Sequence, residues 1–319
     1  METARKISGF AKFAWFTLAY NVLVILWGVF LRASKSGDGC GQHWLTCQGE
    51  IIPSAPELKT IIEFSHRMTT GPAFLLVVIL FIWAFRRFGK GSAVRKAAVA
   101  SFVFIVAEVL IGGVLVLTGN TAETLTAERP FLAIGHLINS FLLLASLTLT
   151  AWYAGDHRTI NFGGPRKPTF LLALAAVAIL LVGTSGSVAA LSSMIFPSAS
   201  LTEGIARDFS AGSNILLKLR VSHPIFSIVT SVYLVFLAGW LSALSGREEL
   251  SALSGREEKV KRSSTILTVI VIAQVAFGAL TLLTLAPILM QVGHLLLADL
   301  LWISFILLSA NFLSRRENS

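Results

Sequence analysis

The chain has 319 residues, of which 55% are hydrophobic and 13% charged, and its mean hydropathy is +0.76. A soluble globular protein is excluded, because spans of 18 or more mostly apolar residues recur along the whole length and read as a polytopic helical membrane protein. The net charge of +9 would suit nucleic acid if the basic residues formed one surface, but their placement between the apolar spans gives a different reason for it.

Eight spans are expected, over residues 10–32, 60–85, 97–118, 130–154, 169–190, 220–243, 264–284 and 291–313. The first carries no small-residue cleavage site after a short core and is long enough to cross a bilayer, so it reads as a span and not as a cleaved signal. An even number of spans puts both ends on one side. The N-terminus, the loops at 86–96, 155–168 and 244–263, and the tail share that side, and they hold 18 of the 26 Lys and Arg residues. By the positive-inside rule both termini are cytoplasmic, the location is the inner (plasma) membrane of the cell, the surroundings are membrane lipid, and nucleic acid is set aside as a partner.

The outer loops differ. The first, 33–59, carries Cys40 and Cys47 around His43. The second, 119–129, holds Asn120, Glu123, Glu128 and Arg129. The third, 191–219, is long, Ser/Thr-rich and contains Pro197, and the fourth is short around Pro287. In the inner loop at 244–263 the segment Leu241–Glu249, LSALSGREE, is followed by an identical copy at Leu250–Glu258. This reads as a duplication in a tolerant loop.

A longer repeat organises the chain. Ser65-His66 opens span 2 as Ser222-His223 opens span 6. Ile134-Gly135-His136-Leu137 opens span 4 as Val292-Gly293-His294-Leu295 opens span 8. In spans 3 and 7, Ala107-Glu108-Val109 with Gly112 matches Ala273-Gln274-Val275 with Gly278. Spans 1–4 are thus repeated as spans 5–8, and an even helix count makes the copies parallel, related by an axis along the membrane normal. The expected fold is all-α: eight transmembrane helices in two tandem, pseudo-twofold-related four-helix bundles, residues 1–160 and 161–319.

The repeat collects His66, His136, His223 and His294 at one depth, two per bundle and on different helices. A single histidine on an apolar helix is usually just hydrogen-bonded in the core. Two per bundle, repeated, fit the use of bundle interiors as cofactor sites, and two opposed imidazoles suit haem iron. A structural zinc site wants four close ligands, and each bundle offers two histidines. His43 and His157 read as solvated. The copies differ where it matters chemically. Three residues before His66 stands Glu63, and three before His223 stands Arg220. Glu63 is either an acid for chemistry or one half of an i, i+4 salt bridge to Arg67. Arg67 and Arg220 are candidate contacts for haem propionates. Glu108 reads as an interhelical hydrogen-bonding group. Cys40 and Cys47 form either a structural disulfide or a redox-active pair.

With Cys40-x6-Cys47, the Glu63-Phe64-Ser65-His66 that opens span 2, and one histidine heading each of spans 4, 6 and 8, nearly the whole chain resembles the heme A synthases. These are membrane enzymes that oxidise a methyl group of heme O to the formyl group of heme A. The resemblance implies that His66 and His136 are axial ligands of the substrate heme O, that His223 and His294 ligate a heme B cofactor, that Glu63 is the acidic residue needed for turnover, and that Cys40 and Cys47 are the outer-loop pair. It also implies successive hydroxylation of one methyl carbon, to an alcohol and then a geminal diol that loses water. A second cysteine pair, present in some relatives, is absent between Leu191 and Leu219, and the tandem nonapeptide is not a family feature. A bis-histidine iron has no open position, so either one histidine dissociates or the substrate is oxidised by electron removal and attacked by water. A diheme electron-transfer cytochrome b and a haem carrier without chemistry are the rival readings. An enzyme that makes heme O is a partner expected by family analogy, whereas the electron donor and the oligomeric state, a homo-oligomer included, are not legible in the residues.

Overall fold

The computed structural model describes residues 8–121, 125–156, 158–160, 166–246 and 256–316. Its elements are α1 (Gly9–Ala33), α2 (Leu58–Arg87), α3 (Ala93–Leu117), α4 (Arg129–Asp156), β1 (Arg158–Ile160), α5 (Arg166–Ile195), α6 (Leu201–Phe209), α7 (Ile215–Arg220), α8 (Ser222–Ser245), α9 (Arg256–Leu283), α10 (Ile288–Leu313) and β2 (Ser314–Arg316). Among the described residues eight helical runs are long and apolar enough to cross a membrane, with α7 and α8 counted as one run, Ile215–Ser245. All eight expected spans are therefore present.

Local chemistry sets the helix ends. Ser8, Ser92, Ser200 and Asn214 cap α1, α3, α6 and α7 by accepting from backbone N–H groups of the first turn. Pro130 stands second in α4 and Pro287 caps α10, where a missing N–H costs no helical bond. Several helices outrun their apolar cores. The clearest is α9, which begins at Arg256, eight residues before the expected 264. Its added turns are polar and carry a Lys261–Glu257 ion pair of 2.5 Å, so hydropathy overlooks them. The first copy of the nonapeptide ends α8 and the second opens α9, while residues 247–255 between them, like His157, lie outside the described residues.

One difference concerns span 6. Leu58 of α2 and Ile215 of α7 are separated by 157 residues, as are His66 and His223. The counterpart of α2 is therefore α7 and α8 together, with a break at Val221. Glu63 lies inside a continuous helix, whereas Arg220 is the last residue of a separate short one. His66 is eight residues into α2 and His136 seven into α4, about 10–12 Å along the axis from the helix starts.

The neighbour pattern carries the repeat into space. In the first half α1 packs on α2 and α4, and α3 packs on both α2 and α4. In the second half α8 packs on α5 and α9, and α10 packs on α9 but barely touches α5, where its counterpart α4 packs closely on α1. Between the halves α4 meets α10, α4 meets α5, and α1 meets α10. Since α5 repeats α1 and α10 repeats α4, the last two contacts are equivalent, as a twofold axis through the α4–α10 contact requires. The buried core runs unbroken across this seam, with Leu143, Leu144 and Leu147 of α4 and Trp302, Phe305 and Leu308 of α10. Trp302 stacks on Phe141 at 5.6 Å and donates its indole N–H to the Phe141 carbonyl at 2.6 Å. Toward the opposite end, Trp152 donates to Asn311 Oδ1 at 2.9 Å, and β1 pairs antiparallel with β2. The helix faces turned away from the seam expose Leu75, Val103, Phe236 and Val269, as a lipid-facing surface does.

Candidate functional site

In the second half, His223 of α8 and His294 of α10 face each other with ring centroids 6.3 Å apart and planes 85° from parallel. A polar side chain and a glycine of a neighbouring helix hold each ring. His223 Nδ1 lies 3.3 Å from Ser185 Oγ of α5, and a Cβ on the adjacent Gly186 would come within 3.0 Å of His223 Cε1. His294 Nε2 lies 3.5 Å from the Gln274 amide nitrogen of α9, and a Cβ on Gly278 would come within 2.8 Å of His294 Cε1.

The first half repeats this plan with other chemistry. His66 of α2 rests on Gly28 of α1, where a Cβ would lie 3.1 Å from His66 Cε1. Glu108 of α3 places Oε1 3.6 Å from His136 Nδ1 and accepts hydrogen bonds from Asn139 and Ser140 of α4. The polar contact expected of Glu108 is therefore made, and it is made beside a candidate ligand.

The Nδ1 atoms of His66, His136 and His294 are buried without a hydrogen-bond partner among the described residues. Leaving such a group unpaired costs about 1–3 kcal/mol, and imidazoles unpaired in both halves are groups still open to a ligand. A metal porphyrin is one that a pair of histidines can hold. Among the described residues no three His, Cys, Asp or Glu side chains converge on a point, so a bare ion would find few protein ligands. A porphyrin brings four nitrogens of its own and needs two imidazoles from different helices. The residues fit that group.

Glu63 lies under a lid. Cys40 and Cys47 are joined by a disulfide, and the loop that they staple folds down onto α2 and α3. Thr60 and Gln48 donate to the Gly39 carbonyl at 2.8 and 3.0 Å. The Trp44 ring lies on Gly113 of α3, where a Cβ would come within 2.5 Å of it. Glu63 is 2% exposed. One carboxylate oxygen accepts from the Cys40 backbone N–H at 2.8 Å, and the other pairs with Arg67 Nη2. Arg67 Nη1 donates to the carbonyls of His43, Trp44 and Thr46. The Glu63–Arg67 salt bridge open from the sequence is thus formed, and it also ties the loop to the helix.

Arg220 is engaged in the same manner in the other half. Its Nε lies 2.6 Å from Asp208 Oδ1, and Nη2 donates to the Gly204 carbonyl of α6 at 3.0 Å. In both halves an arginine paired with an acid fastens an outer segment, Arg67 from α2 and Arg220 from the end of α7.

Gly28, Gly186, Asp208 and Asp299 were not singled out from the sequence. The glycines had a readable signal: they stand 158 residues apart, as do His136 and His294. Asp208 had none. Asp299 of α10 is fully buried, and neither carboxyl oxygen has a hydrogen-bond partner among the described residues.

Comparison with known proteins places this geometry in context. The family model COX15-CtaA, described as cytochrome oxidase assembly protein, matches residues 11–306. A protein named protoheme IX farnesyltransferase from Thermus thermophilus is 41% identical over 308 residues, covering 97% of this chain and 49% of that protein. A heme A synthase from Halalkalibacterium halodurans is 33% identical over 151 residues, 47% of this chain and 46% of its own length. One from Bacillus cereus is 38% identical over 104 residues, 33% of each. The chain spans about half the length of the Thermus relatives that it matches nearly end to end.

Proposed function

The chain belongs to the COX15-CtaA family of cytochrome oxidase assembly proteins, the heme A synthase family, and on that premise we propose that it oxidises a methyl group of heme O to the formyl group of heme A. The oxidation passes through the alcohol and the geminal diol, which loses water. One observation carries this reading: the two halves hold repeat-related histidine pairs, yet three residues before the histidine of spans 2 and 6 the first half buries a carboxyl group, Glu63, where the second carries Arg220.

In this scheme residues 1–160 form the substrate unit, where His66 and His136 hold the iron of heme O. Residues 161–319 form the cofactor unit, where His223 and His294 hold heme B, which supplies one-electron redox chemistry when bound. Glu63 is the catalytic residue. Beside the reacting edge a carboxylate takes up a proton or balances developing positive charge. The Cys40 amide and Arg67 hold it in place, and the stapled loop above keeps bulk water from the site. Arg67 and Arg220 serve the haem propionates through the N–H groups that their protein partners leave over. The protein spans the inner (plasma) membrane with both termini in the cytoplasm.

A partner follows from the Thermus relative. It carries a farnesyltransferase name, and this chain matches only about half of it. That supports a working partnership between this chain and an enzyme that farnesylates protoheme IX, the step that supplies heme O.

The test is expression in a host that makes heme O, followed by haem extraction and chromatography. Heme A or its hydroxylated precursor supports the reading. Heme B alone, unchanged by Glu63→Gln, overturns it and leaves an electron-transfer cytochrome.

A further inference from the structure

The two ligand histidines nearest the seam are supported by different chemistry. In the first half Glu108 approaches His136 Nδ1 to 3.6 Å, and among the described residues that nitrogen is otherwise unpartnered. Asn139 Nδ2 and Ser140 Oγ, one turn further along the helix of His136, hold the carboxylate in place. In the second half every member of this cradle is replaced. Gln274 stands for Glu108, and Leu297 and Ala298 stand for Asn139 and Ser140 at the same spacing from His294. The Gln274 amide nitrogen lies instead 3.5 Å from His294 Nε2, and among the described residues the Gln274 carbonyl oxygen and His294 Nδ1 are both buried and unpartnered. A carboxylate cradle is thus built beside one ligand and dismantled beside the other.

We propose that Glu108 is the positioning residue for His136. It accepts the Nδ1 proton, fixes the tautomer that offers Nε2 to iron, and makes this imidazole the more basic axial ligand of the two halves. The inference rests on the reading of the histidine pairs as haem sites. A separation of 3.6 Å is just beyond a hydrogen bond, and a small rotation of the imidazole closes it. Carboxylates behind ligand histidines fix ring orientation and raise ligand basicity, and hydrogen bonding to an axial ligand is one of the levers on haem potential. A more basic imidazole favours ferric iron, so Glu108 lowers the midpoint potential of the haem in the first half, while the neutral Gln274 does not lower its counterpart.

The experiment is a spectroelectrochemical titration of the full chain, purified in detergent with haem in both sites, for wild type, Glu108→Gln and Gln274→Glu. Glu108→Gln should raise one midpoint by about 59 mV, a tenfold change in the ferric–ferrous equilibrium, and leave the other in place. Gln274→Glu should lower the second midpoint by a similar amount. Low-spin electron paramagnetic resonance signals should persist in both variants, showing that the imidazoles are still bound. Two haems whose midpoints do not move would overturn the role of Glu108 and leave the haem sites standing. So would loss of haem from Glu108→Gln together with an unshifted Gln274→Glu. A wild-type protein that holds no haem would overturn the reading of the histidine pairs, and this inference with it.

Discussion

Gly112 and Gly278 occupy one position of the repeat, four residues after Glu108 and Gln274, and the sequence treats them alike. The structure separates them. A Cβ at Gly278 would lie 2.8 Å from His294 Cε1, whereas at Gly112 nothing comes within 4 Å. Carbon atoms rest about 3.5–4.0 Å apart, so Gly278→Ala requires the His294 ring to retreat by roughly 0.7 Å or more. Turning a side chain about 30° off its rotamer costs about 0.5–1.5 kcal/mol. Replacing an interior helical glycine by alanine returns about 0.8–1.0 kcal/mol. The two effects nearly cancel, so Gly278→Ala should unfold at almost the wild-type temperature and yet hold His294 out of line with His223. Gly112→Ala has the gain without the contact and should be more stable than wild type by about 0.8–1.0 kcal/mol. The assay is thermal unfolding in detergent alongside haem content and absorption spectra of the purified protein. Gly278→Ala should lose one haem equivalent or turn one low-spin haem high-spin, while Gly112→Ala keeps both. If Gly278→Ala retains full haem with an unshifted spectrum, or Gly112→Ala loses as much, the proposed ligand role of His294 in this arrangement is wrong.

Arg67→Ala strands the buried Glu63 carboxylate and should cost about 3–5 kcal/mol in denaturant unfolding. Combining it with Glu63→Gln should recover part of that loss, and a double variant as unstable as the sum of the singles would show that Arg67 acts through the loop carbonyls alone. Reducing Cys40–Cys47, which closes a loop of seven residues' separation, should remove about 2.5 kcal/mol of entropic constraint. Limited proteolysis should then cut between residues 34 and 57 faster than in the oxidised protein, and equal rates would contradict the lid. Asp299→Leu removes two unpartnered buried oxygens and should stabilise the protein by about 1–3 kcal/mol. A fall in unfolding temperature would show instead that the carboxyl is paired in the working protein.

Much of the site was legible in the residues. Glu63, the cysteine pair and the four histidines stand out because ionisable groups are rare near apolar spans. The repeat then sorted them, pairing His66 with His223 and His136 with His294. What stood open from the residues was whether Glu63 was a salt-bridge partner or a group facing the site. The fold makes it an ion-pair partner that also accepts from the Cys40 amide, a residue 23 positions away. The anchoring of Arg220 by Asp208 was equally illegible, because nothing in the 191–219 loop marks which acid turns back toward α7.

By itself the sequence determined the eight crossings, the repeat of the four-helix pattern and the inventory of candidate ligands. Each depends on composition and spacing along the chain, which survive without knowledge of neighbours. Only the tertiary structure decided which side of each helix faces inward. These helices are apolar nearly all round, so no polar stripe in the sequence marks the buried face. It fell to the packing of α4 on α10 to set the helix rotations. Those rotations bring His223 and His294 to 6.3 Å, press Gly28, Gly186 and Gly278 against imidazoles while leaving Gly112 open, and set Glu108 beside Nδ1 of His136 but Gln274 beside Nε2 of His294.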